Sequence, residues 1–220
     1  MKLKKNSKFI VAADGAAASG KTTGSRIISK KYGLKFLSSG LLYRYAGQQL
    51  LKYKPKNETK FLKLKFKKLN YNKINKVNLH SSKISEYTSI IAKQKKIRNV
   101  LKKFQQDFAS KHKKVCIEGR DIGTVILPKA DLKFFFICNL KIAAKRRFRE
   151  LKKKNKFLKF KNVKKELQNR NLRDVSRKNS PLLKSPDAVI VDTGKTRNIS
   201  MMISKMSKYM DRKILDKYGN

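Results

Sequence analysis

Short apolar runs alternate along the chain with stretches in which apolar residues recur every three or four positions. Residues 9–13 and 34–37 predict two short strands. Residues 22–32 lie between them and place apolar side chains on one helical face, with Gly33 positioned to cap the helix. A strand, a helix and a second strand in this order indicate a parallel sheet with covered faces.

The same alternation continues to the end of the chain, apart from residues 53–84. That stretch is rich in Lys and Asn and has no sustained period, which predicts a small, poorly defined insertion. Further strands are predicted at 115–118, 132–138 and 188–192. Further helices are predicted at 41–51, 85–110, 141–153, from 161 to about 175, and 199–210. We therefore expect an α/β fold with a five-stranded parallel sheet flanked by helices.

The turn after the first predicted strand carries the most specific pattern, GAAASGKT over residues 15–22. It fits G-x-x-x-x-G-K-[ST], a phosphate-binding loop, here called the phosphate loop. Gly15 and Gly20 allow a tight turn in which successive N–H groups converge on phosphate oxygens, and the following helix adds its positive end. Lys21 can reach the β- and γ-phosphates, and the Thr22 hydroxyl can bind Mg²⁺. The alternative is an ordinary turn of small residues between a strand and a helix.

The charge of the chain is strongly positive, with 58 basic and 14 acidic residues in 220 and a net charge of +44. A polyanion-binding protein would concentrate its lysines on one face, whereas these lysines occur in almost every block of ten. We therefore expect a lysine-rich but solvated surface and no dedicated nucleic-acid partner.

Few residues suggest metal, redox or membrane chemistry. Cys116 and Cys138 each lie in an apolar run and are expected to be buried free thiols, and neither His80 nor His112 has a neighbour at metal-ligand spacing. No run approaches the roughly 18 apolar residues of a membrane span, and the N-terminus does not resemble a signal peptide. We expect a cytoplasmic protein without a membrane partner.

Arginines and small polar residues follow two of the predicted strands and precede the last one. These groups are SSGLLYR (38–44), EGRDIGT (118–124) and NRNLRDVSRKNSPL (169–182). Ligands of open α/β sheets bind beyond the carboxyl ends of the strands, so all three groups could face one crevice. Guanidinium groups there suit a phosphorylated ligand, although each arginine taken alone could be a solvated surface residue. The arginines concerned are Arg44, Arg120, Arg170, Arg173 and Arg177.

Taken together, these stretches resemble the bacterial cytidylate kinases, which phosphorylate CMP and dCMP with ATP. The matching stretches run in family order over roughly residues 8–211. They include DGAAASGKTT (14–23), SSGLLYR, EGRDIGTVILPKADLKFFF (118–136), RNLRDVSRKNSPL (170–182) and DAVIVDT (187–193). The resemblance implies a single kinase domain of the P-loop NTPase type over residues 1–220. Residues 53–84 would be a small monophosphate-binding insertion, and residues 154–160 the tip of a lid.

The resemblance also assigns roles to residues. ATP would be bound by residues of the phosphate loop and its first neighbour, namely Gly15, Ala16, Ala17, Ala18, Ser19, Gly20, Lys21, Thr22 and Thr23. Catalytic contacts to the transferring phosphate would come from Lys21, Arg146 and Arg147, with Mg²⁺ bound through Thr22. The monophosphate would be bound by Ser39, Tyr43, Arg44, Ser89, Arg98, Arg120, Asp121, Arg170, Asp174 and Arg177.

Three positions depart from the family pattern. Ala16 replaces a usual proline, Ser38 replaces an aspartate, and Asn171 replaces the aspartate of an Arg-Asp pair. The last two remove negative charge near the phosphates. The reaction itself needs no general base, because the acceptor phosphate is already an anionic nucleophile.

Two alternatives remain at this stage. A related kinase could use UMP, AMP or a small metabolite as acceptor. A basic RNA-binding protein could also carry a phosphate loop, and residues 61–73 come closest to the aromatic, basic pattern that this requires. We expect a monomer, because no unclaimed apolar stripe remains.

Overall fold

Five strands form one sheet in the computed structural model, which describes residues 3, 6–74, 77–79, 81–153, 155–196 and 198–219. The order across the sheet is β2-β3-β1-β4-β5. β1 pairs in parallel with β3 and β4, and β4 pairs in parallel with β5. The strand bounds are β1 (Phe9–Gly15), β2 (Lys35–Ser38), β3 (Lys114–Gly119), β4 (Leu132–Ile137) and β5 (Val189–Asp192). The predicted fold class is confirmed.

Helices lie between these strands along the chain and follow the last one. They are α1 (Lys21–Tyr32), α2 (Ser39–Tyr53), α3 (Glu58–Lys67), α4 (Tyr71–Ile74), α5 (Ser82–Ile91), α6 (Lys95–Lys111), α7 (Leu140–Lys152), α8 (Phe160–Ser176) and α9 (Ile199–Tyr218). One π-helical turn, Ile122–Ile126, follows β3. Gly33 ends α1 in the left-handed conformation with φ 65°, and its N–H donates to the Ser29 carbonyl, as the sequence predicted. No helix in the described part of the chain is long and apolar enough to cross a membrane.

The chain divides into two compact units, which are described separately. Unit 1 comprises residues 1–36 and 113–220 and holds most of the sheet. Its main core packs the fully buried strand side chains Phe9, Val11 and Phe136 against Met206 and Met210 of α9. Side chains of α7 and α8, including Ala144 and Val163, form a second, smaller cluster.

Unit 2 comprises residues 37–112 and is helical apart from the end of β2. In it α2 packs on α5, and α3 packs on α6. The Phe66 ring meets Tyr45 of α2 and Phe104 of α6 edge to face. The residues predicted as an insertion, 53–84, lie within this unit, and their role as a monophosphate-binding segment stays a prediction.

Two predictions of local structure in unit 2, the poorly defined insertion at 53–84 and the single helix at 85–110, were wrong. Residues 53–84 contain α3, which Asn57 caps by accepting the Lys60 N–H. Its buried stripe is short, Leu62 and Phe66, and lysines on every side obscure the helical period in the sequence. The predicted helix 85–110 is two helices, α5 and α6, because residues 92–94 leave the helix and Gln94 is extended.

Candidate active site

The phosphate loop joins β1 to α1 through a backbone path that small residues permit. Gly15 has φ 153°, and a Cβ there would lie 2.4 Å from the Phe136 carbonyl oxygen. Gly20 has φ 81°, in the left-handed region that favours glycine. Ala18 also lies there, with φ 56°. The loop therefore needs both glycines of its sequence pattern, one for close packing and one for its conformation.

Lys21 and Thr22, the first residues of α1, both reach Glu118 near the end of β3. The Lys21 ammonium lies 3.7 Å from one Glu118 carboxylate oxygen, and the Thr22 hydroxyl donates to the other at 3.2 Å. Lys21 also donates to the Ala16 carbonyl at 3.3 Å. Glu118 was not predicted as a site residue. The feature of the sequence that could have identified it is a carboxylate near the end of a buried strand.

Burial and neighbouring cations weaken the charge on Lys21. Burial first, and then the Arg120 guanidinium, lower the pKa of Lys21 to about 7, and Arg170 acts in the same direction. Glu118 opposes this shift. The ammonium is therefore destabilised in the free protein and would be stabilised by a polyanionic ligand.

Asp14, next to last in β1, fixes the turn after β3. Its carboxylate accepts the N–H of Ile122 at 2.8 Å and of Gly123 at 2.7 Å. Burial raises the pKa of Asp14 to about 6 against the effect of these two bonds. Asp14 was not predicted as a site residue; it supports the turn that follows Arg120 and Asp121.

Arg146 is connected to the phosphate loop through Thr193, just after β5. Its guanidinium donates to the Thr193 carbonyl at 2.8 Å and to the Thr193 hydroxyl at 3.0 Å. That hydroxyl in turn donates to the Ser19 carbonyl at 2.9 Å. Arg147 instead pairs with Glu150 at 3.0 Å on α7. The sequence did not predict Thr193 as a site residue, because Arg146 and Ser19, its hydrogen-bond partners, are far from it along the chain.

The predicted residues of unit 1 that follow β3 and lie on or after α8 form one ionic cluster. Arg120 donates to Asp174 at 2.7 Å. Arg177 lies 3.6 Å from Asp174 and 3.9 Å from Asp121. Although burial alone would raise it, Arg120 holds the pKa of Asp174 below its ordinary value. Largely buried guanidinium groups thus meet carboxylates that fix their orientation.

Asn171, one of the departures from the family pattern, contacts the phosphate loop directly. Its side-chain oxygen accepts the Ala17 N–H at 3.0 Å. The Asn171 amide oxygen therefore accepts a hydrogen bond from one N–H of the phosphate loop without the negative charge that an aspartate would bring.

Predicted residues of unit 2 also make specific contacts. The Arg98 guanidinium lies 5.6 Å from the centre of the Tyr43 ring and donates to the Ala92 carbonyl. Arg44 donates to the Leu79 carbonyl at 2.9 Å and to the Ser85 hydroxyl at 3.0 Å. Ser39 is buried at the start of α2.

Ser89 of the same unit bonds within its own helix. Its hydroxyl donates to the Glu86 carbonyl at 2.8 Å. The structure thus brings Tyr43 and Arg98 together, whereas Ser89 makes a local contact.

Comparison with known proteins agrees with these features. The family model for cytidylate kinase matches residues 11–212. The chain is 38% identical over 186 residues to the cytidylate kinase of Bartonella quintana (strain Toulouse), covering 84% of this chain and 86% of that protein. It is 33% identical over 224 residues to the cytidylate kinase of Clostridium tetani (strain Massachusetts / E88), covering 96% and 98%.

A solved structure supports the fold alone. An uncharacterized protein from Eubacterium ventriosum ATCC 27560 superposes with a TM-score of 0.55 at 15% identity, covering 93% of this chain and 99% of that one. The match of the family model to residues 11–212, together with the relatives that cover most of the chain, shows that this chain belongs to the cytidylate kinase family.

Proposed function

We propose that this chain transfers the γ-phosphoryl group of ATP to CMP and dCMP, forming CDP and dCDP with release of ADP, as its family membership indicates. The observation that carries the proposal is the junction of the phosphate loop with β3, where Lys21 and Thr22 both contact Glu118. A phosphate loop with a carboxylate at this place suits a nucleotide and its metal ion.

Residues 15–23 are proposed to bind ATP. Loop N–H groups and the start of α1 would contact the phosphates, and the Lys21 ammonium would neutralise charge on the β- and γ-phosphates. Arg146 is held beside the loop through Thr193 and is proposed to face the transferring group. Arg147 is assigned to that group by the family resemblance alone.

The residues present fit Mg²⁺. Within the described ranges no cluster of three or more His, Cys, Asp or Glu side chains could hold a metal. Nucleotide-bound Mg²⁺ needs no such cluster, because phosphates and waters supply most of its ligands. The exposed Thr22 hydroxyl is the proposed direct ligand, and Glu118 is proposed to orient that hydroxyl and the metal's waters. When bound, the ion supplies positive charge to the phosphates.

The acceptor contacts proposed for unit 1 rest on its ionic cluster. Arg120 and Arg177 would bind the acceptor phosphate, and Arg170 would add positive charge. Asp121 and Asp174 would fix the arginines or accept hydrogen bonds from the nucleoside. Catalysis would come from alignment and charge neutralisation.

The acceptor contacts predicted in unit 2 rest on the family resemblance together with the contacts described above. They are assigned to Ser39, Tyr43, Arg44, Ser89 and Arg98.

Product analysis tests the proposal. The protein is incubated with ATP and Mg²⁺ and with CMP, dCMP, UMP or AMP in separate reactions, and the nucleotides are separated by ion-exchange chromatography. We expect ADP together with CDP or dCDP, and far less product from UMP or AMP. Turnover with another monophosphate would overturn the acceptor assignment, and absence of transfer to all four would overturn the proposed activity.

A further inference from the structure

Unit 2 contains a concave surface whose lining includes none of the residues individually assigned to ATP or to the monophosphate. It is an open groove of about 800 Å³ between α3 and α6. Phe66, Val100 and Phe104 form its floor, here called the groove floor. Phe66 and Val100 are buried, and the rings of Phe66 and Phe104 meet edge to face at 5.3 Å. The groove therefore has an apolar base made by both helices.

Lysines line both sides of this floor. Lys63 and Lys67 belong to α3, and Lys96 and Lys103 belong to α6. All four are exposed, and their alkyl stems can extend the apolar surface while the ammonium groups stay in water. Among the described residues, only Lys103 of these four has a carboxylate partner, Asp107 at 3.3 Å. The rims are thus strongly positive around an apolar floor.

The groove lies on the face of α6 that is opposite to Arg98. With 3.6 residues per turn, positions 98 and 100 point about 160° apart around the helix axis. The Arg98 guanidinium contacts the Tyr43 ring and the Ala92 carbonyl, and neither residue lines the groove. A ligand in the groove would therefore occupy a different surface of unit 2 from one bound to Arg98.

We propose that this groove docks an amphipathic helix of a partner protein, with a row of apolar side chains on the floor and Asp or Glu flanking that row. Charge complementarity selects acidic flanks, because both rims carry lysines. The length also fits, because Lys96 to Asp107 spans roughly 16 Å along α6, about three helical turns of a partner.

The geometry favours a helix over single-stranded RNA. Nucleobases stack on a free aromatic face, whereas the Phe66 and Phe104 rings pack edge to face against each other. The apolar surface open to a partner comes mainly from the half-buried Phe104 and the alkyl stems of the exposed lysines, which suit aliphatic side chains. An elongated apolar floor between two helices instead matches the packing surface that a third helix requires.

Fluorescence anisotropy with a synthetic probe tests the proposal. The probe is a labelled peptide of about 14 residues, made of leucine on one helical face and glutamate elsewhere. Its control has lysine in place of glutamate. We expect saturable binding of the acidic peptide to the full chain at about 0.1 M salt and no comparable binding of the basic peptide.

Variants locate the binding site. We expect Lys63→Glu/Lys67→Glu and Val100→Glu each to weaken binding by about tenfold or more. The matched control, Lys205→Glu/Lys208→Glu, makes the same charge change on exposed residues of α9 and should stay within about twofold of the original affinity. Unchanged circular-dichroism spectra and thermal melts of the lysine variants would separate loss of docking from unfolding, and the anisotropy measurement does not depend on the proposed kinase activity.

Three outcomes would overturn the proposal. Equal weakening in the α9 control would show attraction to net charge alone. Equal binding of the basic peptide would remove charge selection. Displacement of the probe by an oligouridylate whose own binding is lost in Lys63→Glu/Lys67→Glu would identify an RNA surface instead.

Discussion

Ala18 adopts a backbone conformation that a side chain disfavours. Its φ of 56° lies in the left-handed region, where the Cβ atom of any residue other than glycine crowds neighbouring backbone atoms. The phosphate loop therefore stores strain at one position between its two glycines.

Replacing Ala18 by glycine should relieve this strain. We expect Ala18→Gly to raise the free energy of unfolding by roughly 0.5–1 kcal/mol, measured by urea denaturation. Ala17→Gly is the matched control, because both alanines pack in the α7–α8 cluster but Ala17 does not have a positive φ, so it should only lose stability with its methyl group. Equal destabilisation by both changes would contradict the strain at Ala18.

Lys21 is the residue on which the proposed chemistry depends most. We expect Lys21→Met to lose nearly all kcat while the fold is retained, because a neutral side chain of similar length keeps the packing but not the charge. Lys30→Met, an exposed change in the same helix, should keep normal turnover. Normal turnover by Lys21→Met would contradict the assignment of the phosphate loop.

The pKa of Lys21 makes ATP binding depend on pH. Since its pKa in the free protein is about 7, Lys21 is mostly neutral at pH 8, and the phosphates of ATP favour its charged form. Binding should therefore take up a proton, and affinity should fall as the pH rises above about 7. Calorimetry at pH 8 in buffers of different ionisation enthalpy measures this uptake, which should disappear in Lys21→Met.

At the scale of elements, α8 connects the turn after β3 with the phosphate loop. Arg120 and Asp174 form its closest ionic contact, at 2.7 Å, while Asn171 contacts the Ala17 N–H from the same helix. Substitutions near Asp174 should therefore affect mainly the binding of the acceptor monophosphate, whereas substitutions near Asn171 should affect mainly the binding of ATP.

Arg177, just after α8, tests this division. We expect Arg177→Ala to weaken CMP binding by about tenfold or more and to change ATP binding little, because its guanidinium lies in the Asp121–Asp174 cluster. Arg173→Ala is the control, since Arg173 donates to the Asn169 carbonyl of its own helix. Calorimetric titration of each nucleotide measures both effects, and equal losses for CMP and ATP would count against the acceptor assignment.

At the scale of the whole molecule, positive charge is spread over the chain. Unit 2 contains 19 basic and three acidic residues, which is a net charge of +16 out of the total of +44. This fraction of the net charge is close to the fraction of the chain length that unit 2 makes up. Even spacing of positive charge along the chain produces repulsion throughout the folded protein.

Screening this repulsion should stabilise the fold. Raising NaCl from about 0.05 to about 0.5 M should increase the Tm by several degrees, because repulsion within a compact chain of this charge weakens at high ionic strength. KCl should give the same curve in thermal melts followed by circular dichroism. A Tm that is independent of salt would show that ion pairs already offset the repulsion.

Local pattern determined much of this protein from the sequence alone. The apolar runs of β1 and β4 predict buried parallel strands, and the glycines and lysine at 15–22 predict the phosphate loop, because these signals depend on neighbours in the chain. The order of motifs along the chain indicated the family, which the comparisons confirm. Local pattern failed in unit 2, where lysines obscured α3 and a three-residue break divided one predicted helix.

Only the tertiary structure decided which distant side chains meet. Glu118 contacts Thr22 across 96 positions of the chain, and Thr193 contacts Ser19 across 174 positions. The Asp14 carboxylate accepts hydrogen bonds from two N–H groups of the turn after β3. The groove between α3 and α6 likewise depends on how two separate helices pack. Burial, pKa shifts and ionic contacts are properties of these encounters, and the spacing of residues along one chain does not encode which strand ends become neighbours in the sheet.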